Sequence, residues 1–441
     1  MSETKMKRDT AIMKNEIFDL VKEYYLKAFA EKKFIPGESA IPVSGKVFDH
    51  EELNAIVESA LDGWFTTGRF NDAFEKELAH FINIKKVLTV NSGSSANLLA
   101  FAALTAEELG ERSIKKGDEL ISVAASFPTT LNPALQYGVI PVFVDVDIPT
   151  YNIDVRKIEA AITPKTKAIM VAHTLGNPFN VEVVAGICKK HNLWLIEDCC
   201  DALGATVNGK HVGTFGDIGT LSFYPAHHIT TGEGGAVFTN NSKLVTIMES
   251  FRDWGRDCWC ASGKDNTCGK RFEWKLGDLP FGYDHKYIYS RIGYNLKITD
   301  MQAALGLAQL KKLPGFIEVR RNNYSKLKKG LADLGNKIIL PQPTFGSNPS
   351  WFGFLITVKE DAGITRNDLI AKLTEAKIAT RLLFAGDLRK QPYFKNVNYR
   401  VAGDLSNTEI ILNDTFWIGV TPMINNEMID YTVGVFHAIL K

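Results

Sequence analysis

The 441-residue sequence lacks any long hydrophobic run and any excess of one charge. No stretch of ~18 consecutive apolar residues occurs, so we predict no transmembrane helix. Fifty-one basic residues stand against 50 acidic ones, and the net charge of +1 gives no sign of a nucleic-acid or membrane partner. The charged N-terminus lacks the apolar core of a signal peptide, so we expect a cytoplasmic protein.

The sequence also lacks internal repeats and low-complexity tracts, and no G-x-G-x-x-G motif follows a predicted strand. It therefore contains no recognisable flavin or nicotinamide site. The sequence also lacks any lysine between Lys210 and Lys243. Within that gap lies the segment FYPAHHITTGEGG, which carries two adjacent histidines, His227 and His228.

The hydrophobic pattern predicts three regions. Residues 1–50 form a helical arm, with apolar residues at helical spacing between about 10 and 30. Residues 51–314 alternate short apolar strands with helices, which indicates a covered, mostly parallel sheet that binds ligands at the carboxyl ends of its strands. Residues 315–441 change pattern and predict a smaller α+β domain.

Three features of the large region are typical of a cofactor site. In NSGSSAN, a strand runs into Gly93 and Ser94 at the start of a helix, where free N–H groups suit a phosphate. In WLIEDCC, a strand ends at Glu197 and Asp198, and a buried carboxylate needs a partner such as a protonated pyridine nitrogen. Phe127 follows another strand and could stack on a flat ring. Taken singly, each pattern also has an ordinary structural explanation. NSGSSAN could be a capped helix, the acids of WLIEDCC could form a structural ion pair, and Phe127 could pack in the core.

Taken in order with SFYPAHHITTGEGG, these features resemble the DegT/StrS family of sugar aminotransferases. The resemblance covers nearly the whole chain and implies an α/β, aspartate-aminotransferase-like fold, the fold type I of pyridoxal-phosphate (PLP)-dependent transferases. It implies that Phe127 stacks on the cofactor ring and that Asp198 pairs with its nitrogen. It also implies a homodimer in which Asn295, in GYNLKITD, reaches the phosphate from the second subunit. Gly93, Ser94 and Ser222 would hold the phosphate of the same subunit's cofactor.

The chain departs from the family at the lysine that forms a Schiff base with the cofactor. Aligning SFYPAHHITTGEGG with the family pattern places His227 at the lysine position. Histidine forms no Schiff base there, but it can move protons, with an ordinary pKa of ~6.5. The resemblance therefore implies a non-covalently held cofactor, pyridoxamine 5′-phosphate (PMP), with His227 as the base of a dehydration. We expect no catalytic role for His228.

Six cysteines are present, and three of them fall in the loop-like segment RDCWCASGKDNTC. Cys200, Cys258, Cys260 and Cys268 follow the spacing C-x57-C-x-C-x7-C. Four thiolates can bind zinc or an iron–sulfur cluster, and this spacing matches neither the usual zinc pairs nor the common ferredoxin patterns. Free buried thiols are the remaining alternative.

The cysteine pattern and the histidine together resemble the iron–sulfur 3-dehydrases of 3,6-dideoxyhexose and O-antigen biosynthesis. This resemblance implies that the four cysteines hold a [2Fe–2S] cluster and that Cys188 and Cys199 do not. It implies removal of the C3 hydroxyl from a nucleotide-linked sugar, CDP-4-keto-6-deoxy-D-glucose. Two electrons would come from a separate flavin or iron–sulfur reductase through the cluster.

Three alternatives stay open. A cluster-free 3-dehydrase that restores PMP from glutamate would also carry the histidine, although the four cysteines argue against it. A catalytically silent relative could bind zinc with the same cysteines, and the missing lysine disfavours a plain aminotransferase. Arg381 and Arg389 are candidates for binding the sugar nucleotide, without an assigned role.

Overall fold

The computed structural model describes residues 3–30 and 33–441, with side chains from residue 10 onward. Its described part contains twelve α-helices, α1–α12, and seventeen strands, β1–β17. None of the described helices combines the length and the apolar character needed to cross a membrane. The helices are α1 (Glu3–Ala28), α2 (His50–Leu61), α3 (Arg69–Ile82), α4 (Gly93–Ala103), α5 (Pro128–Gln136), α6 (Ile158–Ala161), α7 (Val181–His191), α8 (Ser242–Arg252), α9 (Asp300–Gly330), α10 (Arg366–Glu375), α11 (Ser406–Asp414) and α12 (Asn426–Leu440).

Most strands are short and build two main sheets. The strands are β1 (Lys86–Val90), β2 (Glu119–Ser122), β3 (Ile140–Phe143), β4 (Val146–Asp147), β5 (Asn152–Ile153), β6 (Thr166–Ala172), β7 (Trp194–Asp198), β8 (Thr206–Val207), β9 (Lys210–His211), β10 (Ile218–Ser222), β11 (Gly235–Thr239), β12 (Ile338–Ile339), β13 (Ser347–Asn348), β14 (Gly353–Val358), β15 (Thr380–Arg381), β16 (Arg400–Val401) and β17 (Thr415–Gly419).

The larger sheet has eight strands in the order β1-β11-β10-β7-β6-β2-β3-β16. Pairs from β10 through β16 are parallel, whereas β11 runs antiparallel to both β1 and β10. The carboxyl ends of β1, β10, β7 and β2 therefore meet at one edge, as the sequence pattern predicts.

Both faces of this sheet are buried. Along β7, Leu195 packs into the core on one face, while Trp194 and Ile196 pack into the core on the other. Because alternate side chains point into two buried cores, the side chains on both faces are apolar, and each strand appears in the sequence as a continuous apolar run. Burial on both faces leaves the strand ends as the place where polar side chains can gather.

A second, antiparallel sheet has the order β12-β14-β17-β15 and a core of its own, which includes Phe354, Phe416 and Phe436. The predicted boundary between residues 314 and 315 falls inside α9, which runs without a break from Asp300 to Gly330. Moreover, β16 returns from the C-terminal region to the large sheet. The three-part division therefore stays a proposal about how the chain is organised.

Candidate active site

A cleft with a volume of about 590 Å³ lies where β1, β7 and β10 end, which is large enough for a cofactor together with a sugar. Six residues predicted to bind the cofactor or to act in catalysis line it, together with Cys200. No lysine occurs among the described residues that line the cleft. The predicted residues that it brings together are Gly93, Ser94, Phe127, Asp198, Ser222 and His227 (the first five for the cofactor, the last for catalysis).

Asp198 ends β7 and is almost fully buried in the cleft floor. Its Oδ2 accepts hydrogen bonds from Asn97 Nδ2 at 2.8 Å and Thr130 Oγ1 at 2.7 Å, and its Oδ1 accepts one from the Cys200 N–H at 3.1 Å. Thr220 Oγ1 donates to Asn97 Oδ1 at 2.7 Å and so fixes the amide. Hydrogen bonds of this kind stabilise an ionised carboxylate, the form needed to pair with a protonated ring nitrogen.

Its neighbour Glu197 points elsewhere and is structural. Its carboxylate accepts hydrogen bonds from the N–H groups of Gly213, Phe215 and Gly216, and lies 3.1 Å from His173 Nε2. Alternation along the strand separates the two acids, because successive side chains of a strand point to opposite faces.

The N-terminus of α4 forms a cradle for a phosphate. Ser92 caps the helix by accepting a hydrogen bond from the Ser95 N–H at 3.0 Å. Gly93 lies so close to β10 that an added Cβ would stand 2.4 Å from Ser222 Cβ and 3.2 Å from Cys200 Sγ. Free N–H groups and hydroxyls at a helix start suit an anion, so this cradle fits a phosphate.

Phe127 lies in the cleft and not in the core. Its side chain is 49% exposed, and its ring meets Phe384 edge-on at 6.3 Å. An exposed aromatic face beside a phosphate cradle and a buried carboxylate fits a flat pyridine cofactor. These are the positions that the family resemblance implies, and the role of each residue stays a prediction.

His227 lies at the side of the cleft, where its ring packs 5.2 Å from that of Phe352. Its Nδ1 is 3.3 Å from Asp201 Oδ1, without a well-directed hydrogen bond. The buried Arg320 donates to the carbonyl oxygens of Trp351 and Phe352 at 3.2 and 3.3 Å, and reaches that of His227 at 3.5 Å. The guanidinium thus fixes the backbone on both sides of the imidazole.

His228 faces away from this arrangement. It is buried, and its Nε2 donates to the Ser350 carbonyl oxygen at 2.8 Å. Burial, together with the charge of Arg320, lowers its pKa well below the usual value, so the ring is neutral. A neutral, buried donor fits a structural group, and the absence of a catalytic role for His228 stays a prediction.

Asn295 and Arg389 lie outside the cleft lining, whereas the exposed Arg381 lines it. Asn295 is exposed, and its Oδ1 accepts a hydrogen bond from Lys297 at 2.7 Å. Arg389 is held by two hydrogen bonds to the buried Asp387. Arg381 is therefore the better placed of the two arginines for binding a substrate.

The structure separates Cys200 from the other three predicted metal ligands. Cys258, Cys260 and Cys268 line one small cavity together with His285, whereas Cys200 lines the cofactor cleft. Burial raises the pKa of the Cys200 and Cys199 thiols well above the usual value, and that of Cys188 to about 12. Within one chain, the four thiols are therefore not gathered around a single cluster.

Several polar residues of the site were not predicted from the sequence, among them Asp201, Asn97 and Thr130. Asp201 could have been found, since the strand end reads EDCCD and places a third acid beside the cleft. Asn97 and Thr130 carried no signal, because only the packing of α4 and α5 against β7 aims them at Asp198.

The model of the DegT/DnrJ/EryC1/StrS aminotransferase family matches residues 46–437. The lipopolysaccharide biosynthesis protein RfbH of Salmonella typhimurium is 63% identical over 96% of this chain and 97% of its own length. The dTDP-4-dehydro-2,6-dideoxy-D-glucose 3-dehydratase of Saccharopolyspora spinosa is 51% identical, over 95% of this chain and 90% of its own.

A similar solved structure is that of a GDP-4-keto-6-deoxymannose-3-dehydratase with a trapped PLP–glutamate geminal diamine. It superposes with a TM-score of 0.81 at 34% identity and covers 91% of this chain and 100% of its own.

Proposed function

Because the chain belongs to the DegT/DnrJ/EryC1/StrS aminotransferase family, we propose that it is a PMP-dependent 3-dehydratase of a nucleotide-linked 4-keto-6-deoxyhexose. Its fold is the type I fold of PLP-dependent transferases that the sequence predicts. One observation carries the proposal: a cleft with a phosphate cradle and a strand-end carboxylate is lined by His227 and by no described lysine.

PMP, when bound, supplies the amine that meets the substrate ketone and a ring that accepts electron density. Gly93, Ser94 and Ser222 would hold its phosphate, Phe127 would cover its ring, and Asp198 would pair with its nitrogen. The hydrogen bonds from Asn97 and Thr130 hold the Asp198 carboxylate in place for that task.

His227 is the proposed base. Since its Nδ1 lies beside Asp201, Nε2 is the nitrogen left to take up and return a proton. Arg320 holds the backbone of His227 and Phe352, and therefore acts as a positioning residue.

Dehydration must be followed by the return of the enzyme to its starting state, and two routes are possible. Our first proposal is electron delivery from a flavin or iron–sulfur reductase through a [2Fe–2S] cluster, supported by the four-cysteine pattern. The second is regeneration of PMP by glutamate, supported by the similarity to the dehydratase whose structure holds a PLP–glutamate adduct.

For the substrate we propose CDP-4-keto-6-deoxy-D-glucose, on the resemblance of the sequence. Relatives named as dehydratases of dTDP- and GDP-linked sugars make these sugars alternative substrates to test. Arg381 is the described arginine that lines the cleft, and it is our candidate for contacting the nucleotide. The protein is further proposed to act in the cytoplasm as a homodimer.

The test begins with protein purified without oxygen. Its visible spectrum is recorded, and iron, zinc and acid-labile sulfide are measured on the same sample. The PMP-loaded protein is then given each of the three nucleotide sugars with glutamate, with a chemical electron donor such as dithionite, or with neither, and repeated loss of the C3 hydroxyl is followed by mass spectrometry.

Iron and sulfide in equal amounts, with repeated turnover that depends on the electron donor and not on glutamate, would support the electron-relay enzyme. A metal-free protein whose repeated turnover depends on glutamate would establish the second route. A zinc-loaded protein that dehydrates none of the sugars would overturn the proposed function.

A further inference from the structure

Three cysteines line one small cavity in the segment 254–294, here called the insert. Each sulfur faces a backbone N–H at 3.4 Å: Cys260 N–H with Cys258 Sγ, Thr267 N–H with Cys260 Sγ, and Lys270 N–H with Cys268 Sγ. N–H groups directed at sulfur stabilise thiolates and tune iron–sulfur clusters. The three side chains line one cavity, so the insert offers three of the four ligands that a [2Fe–2S] cluster takes.

The fourth thiol of the sequence pattern is in a different place. Cys200 is half-buried and lines the cofactor cleft next to Gly93 and Ser222, in the proposed phosphate cradle. It does not line the cavity of the insert. Each chain therefore has an incomplete three-thiol site and a single thiol in its cofactor cleft.

The insert exposes several large hydrophobic side chains. Soluble monomers rarely expose many large hydrophobic side chains in one short segment, and such surfaces mark contacts with another chain. Ile292 is 94% exposed and Phe281 is 73% exposed. The other exposed large side chains of the insert are Trp254, Trp259, Phe272, Tyr283, Tyr287 and Tyr289.

The ends of the insert connect it to the proposed dimer. A backbone bridge pairs Asp253 with Asn295, so the insert starts and finishes beside Asn295. Asn295 is exposed and lies outside the cleft of its own chain. In the proposed dimer it reaches the phosphate of the partner subunit, and Cys200 stands beside that phosphate position.

We propose that two copies of this chain share each cluster, with Cys258, Cys260 and Cys268 coming from the insert of one copy and Cys200 from the cofactor cleft of the other. This inference rests on the proposed function, because it concerns the cluster assigned there. A dimer would then hold two equivalent clusters, each beside one cofactor, and the apolar surface of the insert would be covered by the second copy.

A competing arrangement exists within one chain. His285 Nδ1 lies 3.9 Å from Cys268 Sγ, and His285 Nε2 lies 2.7 Å from Asp257 Oδ2. A histidine held by a carboxylate is a common metal ligand, so His285 could complete a three-cysteine, one-histidine site. That arrangement would need neither Cys200 nor a second copy.

The test uses hybrid dimers made by co-expressing two differently tagged full-length chains, Cys200→Ser and Cys258→Ser. In the shared arrangement, the homodimer of either variant lacks one cysteine ligand in each of its two cluster sites. The hybrid, however, contains one intact site, formed by Cys200 of one chain and the unchanged insert of the other. Doubly tagged dimers are purified without oxygen, and iron, sulfide and the visible spectrum are measured.

We expect the hybrid to hold about half of the wild-type iron, and each variant homodimer to hold almost none. A matched control hybrid of Cys258→Ser with Cys268→Ser should hold almost none, because both changes lie in the insert. Cys188→Ser, at a buried cysteine outside both sites, should keep the wild-type content.

A hybrid without iron, beside an iron-loaded wild type, would overturn the shared site while leaving the proposed function intact. Full iron in the Cys200→Ser homodimer, lost on His285→Ala, would overturn it in favour of the single-chain site. Absence of iron from the wild type itself would instead remove the cluster from the proposed function.

Discussion

Two neighbouring histidines show how far one residue step can change a side chain's role. His227 lines the cleft beside Asp201, whereas His228 is buried and bonded to the Ser350 carbonyl oxygen. Burial keeps His228 neutral, since its pKa is lowered well below the usual value. The sequence pattern placed a histidine where the family has its lysine. Only the packed structure shows that Asp201 lies beside His227 and not beside His228.

The first prediction concerns His227→Asn. Asparagine keeps a similar size and polarity but cannot take up a proton, so we expect dehydration to fall at least ~100-fold while the dissociation constant of PMP stays within ~3-fold. Turnover is measured with PMP-loaded protein, and binding by the absorbance change of the cofactor.

The matched variant is His228→Asn, whose amide can still donate to Ser350. It should retain turnover within a few-fold of wild type, although its melting temperature is expected to fall. Undiminished turnover in His227→Asn, or an equal loss in both variants, would contradict the assignment of the base.

At the scale of elements, the ends of β1, β7 and β10 create the cofactor site. Alternation of short apolar strands with helices predicted this edge, because parallel strands bring their carboxyl ends together. The sequence did not reveal that α4 approaches β10 closely, since this depends on how the helix packs.

That close approach yields the second prediction. In Gly93→Ala, the new Cβ would stand 2.4 Å from Ser222 Cβ, so the N-terminus of α4 must shift away from β10. Overpacking of this kind costs about 1–3 kcal/mol, and we expect the dissociation constant of PMP to rise at least ~10-fold. Titration of the apoprotein with PMP measures this change.

Gly186→Ala is its control, because an added Cβ in α7 would meet no atom within 4 Å. It should leave PMP binding unchanged and slightly raise the melting temperature. Equal PMP affinity in Gly93→Ala and wild type would show that the phosphate does not rest on the start of α4.

On the scale of the whole molecule, the described chain leaves apolar surfaces that a second copy can cover. Apolar spacing correctly predicted a helix near the N-terminus, within α1. Its side chains at Ile12, Leu20 and Tyr24 are nevertheless at least half exposed. Together with the exposed aromatic side chains of the insert, they are candidates for the interface of the proposed homodimer.

The third prediction tests this surface with Ile292→Asp. A charge on a buried interface residue should weaken association by at least ~2 kcal/mol, a ~30-fold higher dimer dissociation constant. Sedimentation at decreasing protein concentration measures it, and iron content should fall together with the dimer fraction.

Phe345→Asp provides the comparison, since Phe345 is 99% exposed but lies outside the insert. It should sediment like the wild type. A monomer–dimer equilibrium that is unchanged by Ile292→Asp would show that this part of the insert does not lie in the dimer interface.

The sequence by itself determined the fold class, the position of Asp198 at a strand end, the Gly/Ser turn at the start of α4 and the absence of the lysine. These are local patterns, because strand periodicity and the residue at a strand end are written in consecutive positions. Only the tertiary structure decided that Asp201 accompanies His227, that Arg320 holds its backbone, and that Cys200 lies apart from the other three cysteines. Those relations join residues that are distant in the chain, and packing between elements sets their distances.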